Sequence, residues 1–372
     1  MTLVDFDPYE EYDLETSCKR REWWQSMRSW FAERGYFLYH PQFHEGESIP
    51  LCYPPLPFPE TDWSATSPFP YAYRESHSLE YGECGENYLS SDEPFRPSGV
   101  WFAQDRETRL VAVKLVKKDT EEYRILRRID EDTSRASSFN NIIPILEFID
   151  MEHFSAVVMP KWSVVFTPDR CFETMRDVLS MIHCLLKGLV FLHDRNTVHR
   201  DIKIENTLVN HAHNAHWTRH DHTAAFHRSL RRAGVLTYAY IDFDIAIIRG
   251  MGQTNWAVKD TAQGEHDYDP FTFDVALPGF QFCQSFQHLP PYAPCLAPLL
   301  DMMVTHDYKR RFTASEALKF FEDMYPLLPE EQLQAFPPML PHPEDHETFD
   351  RWKDLPPDLT KRWASYREPP LP

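Results

Sequence analysis

Residues 199–206 read His199-Arg200-Asp201-Ile202-Lys203-Ile204-Glu205-Asn206, directly after a long apolar run, and no other stretch of the 372-residue chain limits its fold so tightly. At usage near 5% per residue type, the five polar positions that matter would coincide by chance in about one chain in ten thousand of this length. The apolar tract before them, 178–192, is interrupted by His183, Lys187 and Gly188. It is too short to span a bilayer and predicts a buried helix over 172–193 that ends at the loop. A carboxylate, a cation and a primary amide therefore follow one another at the end of a rigid element. A plain polar turn needs no such order.

The spacing has a chemical reading. An acid at the start of such a loop can accept the proton of an attacking hydroxyl, while an amide five positions later can turn back to hold a divalent ion against phosphates. Asp201 and Asn206 fit those two roles. Lys203, between them, can place its ammonium on a phosphoryl group in transfer, where negative charge must be held.

Composition narrows the class. With 42% hydrophobic and 26% charged residues, the chain can bury one large core or two lobes. A net charge of −19 repels phosphate backbones, and no basic stripe interleaved with aromatics offsets it, so no nucleic acid partner is expected. Asp5, Asp7, Glu10 and Glu11 stand where a secretory leader would be basic and then apolar. Seven cysteines without a Cys-x-x-Cys pair predict reduced thiols and an intracellular, cytoplasmic or nuclear, protein.

Four stretches follow from the pattern. Residues 1–92 form an N-terminal extension with one helix over 21–34, closed by Gly35, whose Trp23, Trp24, Met27, Trp30 and Phe31 make an apolar face. That face suits docking onto the chain's own core, with a membrane surface or a regulatory partner as the alternative occupant. The Pro-rich run 50–70 predicts an extended surface segment. Next, Val111-Ala112-Val113-Lys114 reads as a strand after a turn at 105–108. Asp119-Thr120-Glu121-Glu122 opens a helix through Ile125, Leu126 and Ile129, and 142–149 and 154–159 read as two further strands. Asp119 with Glu122 also satisfies a capping box, which competes with any other use of Glu122. Residues 238–248 then predict strand, turn and strand around Ile241-Asp242-Phe243-Asp244, and 326–372 a Pro-rich tail along the preceding domain.

Together these motifs resemble the eukaryotic protein kinase superfamily over about 94–324, including Asp269-Pro270-Phe271 leading to Asp274 and Lys309-Arg310-Arg311-Phe312-Thr313. More narrowly, Trp23-Trp24, Val158-Met159-Pro160 and the insertion before Tyr240-Ile241-Asp242-Phe243 resemble an expanded kinase-like family of mushroom-forming fungi. The resemblance implies an α+β, two-lobed fold: a kinase-like domain at 93–325, with a small antiparallel-sheet lobe at 93–160 and a mainly helical lobe at 161–325. It also implies ATP and Mg²⁺, and a protein substrate. Asp201 and Lys203 are then catalytic, Asn206 and Asp242 hold metal, and Lys114 anchors phosphate with Glu122 as its partner. Val100, Ala112, Met159 and Leu208 line the base, with Pro160, Lys161 and Trp162 as the hinge. Asp274 would brace the catalytic loop, and Arg311 would pair with Glu265. A lysine at position 203 is similar to Ser/Thr-type kinases rather than to small-molecule phosphotransferases.

The chain also departs from that pattern. Only Gly99 remains where a glycine-rich loop would cradle phosphates, and Pro94 and Pro97 there lack amide donors. Asp244 replaces the usual glycine, and the alanine-proline-glutamate motif is missing at 262–265. Two readings follow: an active Ser/Thr kinase, or a pseudokinase scaffold with little or no turnover. Between Asn206 and Asp242, His211, His213, His216, His220, His222 and His227 match no closed zinc pattern and predict a solvated loop. Arg200 could receive a phosphate on Thr254 or Thr261.

Overall fold

The structure, a computed structural model, describes residues 14–42, 51–56, 69–73, 99–133, 138–165, 172–211, 221–248, 269–338 and 346–368. It divides into two compact units. One comprises Met1–Glu131, Ile143–Ser163 and Val209–Leu236; the other comprises Asp132–Ile142, Val164–Leu208 and Thr237–Pro372. The class is α+β, as the motifs imply.

The first unit is built on a five-stranded antiparallel sheet in the spatial order Phe37–Leu38, Val100–Gln104, Leu110–Lys117, Phe154–Pro160, Glu147–Asp150. Side chains alternate across it, so the register fixes two faces. On one, Trp101, Val111, Val113 and Val158 join the core cluster that holds Trp23, Trp24, Met27 and Phe31. Trp24 is fully buried and stacks on Trp101 and Phe31, each at 5.8 Å between ring centroids. The apolar face of the N-terminal helix is therefore taken by the chain's own core.

That helix is longer and less continuous than its periodicity predicts: Leu14–Ser26 and Arg28–Glu33 are separated at Met27. The Ser26 hydroxyl donates to the Trp23 carbonyl at 2.7 Å, and the Met27 amide is shared between the Trp23 and Trp24 carbonyls. Gly35 ends it at φ 90°, where a Cβ would collide with the Arg106 side chain. Tyr36 then donates its hydroxyl to Glu147 at 2.6 Å; burial, followed by that carboxylate, pushes the phenol pKa well up. Tyr36→Phe is expected to lower the stability of this unit by about 1 kcal/mol, read from the urea midpoint.

Of the two strands predicted over 142–149 and 154–159, the second matches and the first is shorter. Asn141 at φ 60° turns the chain, and pairing with the neighbouring strand begins only at Glu147.

The second unit packs helices Met175–His193, Pro270–Phe286, Leu296–Val304 and Ala314–Met324. The first of these is set by a capping box: the Thr174 side chain accepts from the Asp177 amide and the Asp177 carboxylate accepts from the Thr174 amide. Gly188 lies in its middle because the chain at Asn141 and the Tyr240 ring press against it; a Cβ there would sit 2.8 Å from the Asn141 carbonyl oxygen. Gly188→Ala is expected to destabilise this unit by about 1–3 kcal/mol despite the better helix propensity of alanine, a loss visible as a lower melting temperature. Residues from the predicted tail join this unit: Trp352, Leu355 and Trp363 form a buried cluster with Cys295 and Ala297.

Candidate active site

The loop after the Met175–His193 helix is held from below by the Pro270–Phe286 helix. Asp269 starts that helix by accepting from the Phe271 amide, which places Asp274 one turn further on. Asp274 is fully enclosed, at 0% exposure, and its two carboxylate oxygens accept from the backbone amides of His199 and Arg200, each at 2.7 Å. His193 adds a contact at 3.1 Å. These bonds hold Arg200 at φ 69°, in the left-handed region that non-glycine residues seldom occupy. The His199 ring bonds the Ile241 carbonyl at 2.9 Å and lies against Phe243, which ties the loop to the Ile241-Asp242-Phe243 turn.

On this brace the polar groups converge. Lys203 Nζ donates to Asp201 Oδ2 at 2.6 Å, and Asn206 Nδ2 donates to the same oxygen at 2.8 Å and to the Asp201 carbonyl at 2.9 Å. Burial pulls the Lys203 ammonium pKa down, but the Asp201 carboxylate, with Asp242 and Glu205, outweighs it and the pKa ends raised. The lysine is thus a fixed cation among acids. Asp242 sits at φ 68°, whereas Asp244 is not among the positive-φ residues. The left-handed residue of this turn is Asp242 itself, so Asp244, which stands where the family pattern has glycine, occupies ordinary backbone. Leu208 is buried in the short strand Thr207–Val209 that follows the loop.

Within the sheet unit, Lys114 Nζ lies 2.6 Å from Glu122 Oε1, an ion pair with the carboxylate side chain almost fully enclosed. The competing capping role does not fall to Asp119 and Glu122. Thr120 caps the Glu121–Thr133 helix by accepting from the Tyr123 amide, which leaves Glu122 to face the strand. The register pairs Val100 with Lys114 and Phe102 with Ala112, and then Ala112 with Met159. Val100, Ala112, Lys114 and Met159 therefore share the sheet face opposite Trp24.

A protein kinase domain family model matches residues 99–241. Over that stretch the chain is similar to protein kinase domains. Among relatives, calcium-dependent protein kinase 4 of Plasmodium berghei is 27% identical over 143 residues, 37% of this chain and 25% of that protein; its Plasmodium falciparum counterpart is 27% identical over 145 residues. The serine/threonine-protein kinase US3 homolog of Cercopithecine herpesvirus 9 is 29% identical over 73 residues, 19% of this chain and 21% of that protein. The chain spans about a quarter of the length of the relatives it matches.

One residue near the loop escaped the motif reading. With its amide turned so that oxygen faces the loop, Gln281 accepts from the Lys203 amide at 3.1 Å and from the Ile204 amide. It stands seven residues after Asp274, two turns along the same helix face, so one face braces both ends of the loop. The only sequence signal was that spacing. Arg311 donates to the Thr272 and Thr305 carbonyls at 3.2 and 2.7 Å. Its expected partner Glu265, the segment 92–97, Thr254, Thr261, His213, His216 and His220 lie outside the described residues. His211 and His227 stack at 3.9 Å between ring centroids. Among the described residues no group of three metal-ligating side chains forms, and no helix is long and apolar enough to cross a membrane.

Proposed function

We propose that this kinase domain transfers the γ-phosphate of ATP to a Ser or Thr hydroxyl of a protein, with residues 93–325 as the catalytic domain and an intracellular location. The observation that carries the reading is the convergence of Lys203 Nζ and Asn206 Nδ2 on one oxygen of Asp201. Those two bonds fix the carboxylate and leave Oδ1 outside them, the atom that takes the proton of an attacking hydroxyl. Lys203 lies within reach of the same position and holds the charge that builds on the phosphoryl oxygens.

The donor set also suits Mg²⁺. Asn206 spends its nitrogen on Asp201, so its Oδ1 remains outside those bonds as a hard oxygen ligand, and the Asp242 carboxylate supplies a second. When bound, the ion neutralises phosphate charge. Lys114, steadied by Glu122, anchors phosphate, with Val100, Ala112, Met159 and Leu208 against the base. The Ser/Thr class rests on Lys203 and on the printed class of the herpesvirus relative.

A second reading, a pseudokinase scaffold, is favoured by one feature: Gly99 alone precedes the Val100–Gln104 strand, after Pro94 and Pro97. Two assays separate them. Labelled γ-phosphate from Mg-ATP is expected on the protein itself and on a generic basic protein, and Lys114→Met is expected to cut that transfer by at least about 10²-fold. Nucleotide-dependent thermal stabilisation with no transfer by the parent chain would replace the first reading with the second.

A further inference from the structure

The Lys203 side chain is 47% exposed, against 28% for Asp201, while Asn206 is buried. A lysine stem is long and flexible, so where its ammonium goes depends on how firmly the backbone beneath it is held. That backbone is extended at Lys203, φ −149° and ψ 167°, and then enters the tight helical turn Ile204–Asn206. The Lys203 carbonyl accepts from the Asn206 amide at 3.0 Å and from the Thr207 hydroxyl at 3.3 Å. The first amides of such a turn have no acceptor within the turn itself. A residue at its start is usually Ser, Thr, Asp or Asn, whose side-chain oxygen accepts from the turn. Lysine carries donors only, and the Lys203 side chain makes no capping bond.

The missing acceptor comes from another element. Gln281, on the Pro270–Phe286 helix, accepts from the Lys203 amide at 3.1 Å and from the Ile204 amide, in the orientation that satisfies both ends of its own amide. Phe280 and Phe282 flank it in a helix of largely apolar sequence. A polar side chain in such a place costs desolvation unless it is bonded, and the two loop amides are bonds that it finds. Both polar groups of the Lys203 backbone are thereby held, the N–H by Gln281 and the C=O by Asn206 and Thr207. A lysine can then stand where the turn would otherwise need an acceptor.

We propose that Gln281 is a positioning residue for phosphoryl transfer: it caps the turn in place of residue 203 and so fixes the backbone from which Lys203 reaches Asp201 and the moving phosphate. The role rests on the kinase reading above. Gln281 acts through Lys203 and not on the reacting atoms. Its loss leaves the lysine charge in the site but no longer aimed.

The test uses the full-length chain. Gln281→Met keeps the side-chain length and removes both amide atoms. In this variant the Lys203 and Ile204 amides are expected to exchange with solvent deuterium at least about tenfold faster, while the His199 and Arg200 amides, held by Asp274, keep the parent rate. The kcat for transfer of labelled γ-phosphate from Mg-ATP to a generic basic protein is expected to fall about 10–100-fold, with the KM for ATP unchanged within about twofold. In a Lys203→Ala background the same substitution is expected to cost less than about threefold, because a residue acting through Lys203 then has nothing to position. A merely structural role would cost the same factor in both backgrounds. Gln281→Glu, which keeps an acceptor, is expected to restore amide protection and most of the transfer. Should Gln281→Met fail to fold, Gln281→Asn, one methylene shorter, carries the same comparison. Unchanged exchange at Lys203 and Ile204, or equal losses with and without Lys203, would overturn the proposal. A parent chain that transfers no phosphate would overturn the kinase reading and the role in transfer with it, and the exchange rates would still decide the cap by themselves.

Discussion

Asp201→Asn is expected to leave nucleotide affinity nearly unchanged and to lower γ-phosphoryl transfer by about 10²–10⁴-fold. The substitution is nearly isosteric, and the bonds it must keep decide which way the new amide turns. Both Lys203 Nζ and Asn206 Nδ2 are donors aimed at one oxygen of this side chain, at 2.6 and 2.8 Å. An asparagine there can satisfy them only by presenting its carbonyl oxygen, which forces its NH₂ into the place of the remaining carboxylate oxygen. That position then has no lone pair to accept a proton, while the loop, held by the two Asp274 oxygens through the His199 and Arg200 amides, keeps its shape. Single-turnover transfer of labelled phosphate, with nucleotide binding followed in parallel, separates the terms. Transfer at the parent rate would remove Asp201 from its assigned role, and loss of nucleotide binding would mean that the substitution disturbs the loop.

The largest stability effect is expected far from that loop. Arg351, in the C-terminal segment, is buried with its Nη1 donating to Asp301 Oδ1 at 2.7 Å. Trp352 Nε1 and the Glu368 amide donate to the other oxygen at 2.6 and 2.8 Å. Burial still raises the Asp301 pKa, outweighing Arg351 and the two N–H donors that lower it. Arg351→Leu leaves this carboxylate enclosed without its cation and is expected to cost about 3–5 kcal/mol, read from the urea midpoint. A carboxylate whose folded pKa lies above its unfolded value contributes stability below the ordinary Asp range and loses it as pH rises through the folded value. Removing Arg351 raises that pKa further, so the difference between parent and variant is expected to grow from acid toward neutral pH. The pair Arg351→Leu with Asp301→Leu is expected to recover most of the loss, because no buried charge then remains. A variant as stable as the parent at neutral pH would show that the C-terminal segment contributes little to the packing of this unit.

The two results bear on different kinds of information. His199 to Asn206 was legible because its contacts are local: a carboxylate, a cation and an amide within six residues need only a turn to meet. The apolar period that makes Met175–His193 a helix supplies the rigid end for that turn. The strand around Lys114 was legible for a similar reason, since alternation and β-branching specify a half-buried strand whatever it pairs with. The break at Met27 was not, because no proline or glycine marks it in 21–34. Nor was the choice between Asp119 and Thr120 as cap, since both are good N-cap residues and only the direction of the Glu122 side chain separates them.

By itself, then, the sequence determined the elements and the chemistry carried within one loop: the buried helix, the Lys114 strand, the acid-lysine-amide set and the Asp242 turn. The tertiary structure decided which distant groups complete them. It put Gln281 under the loop, Glu122 against Lys114, the N-terminal tryptophans on the sheet and Arg351 on Asp301. The physical reason is range. Propensity, capping and periodicity act over a few residues, whereas the state of a buried charge depends on what packing brings within a few ångströms, and that partner can lie fifty residues away in the chain.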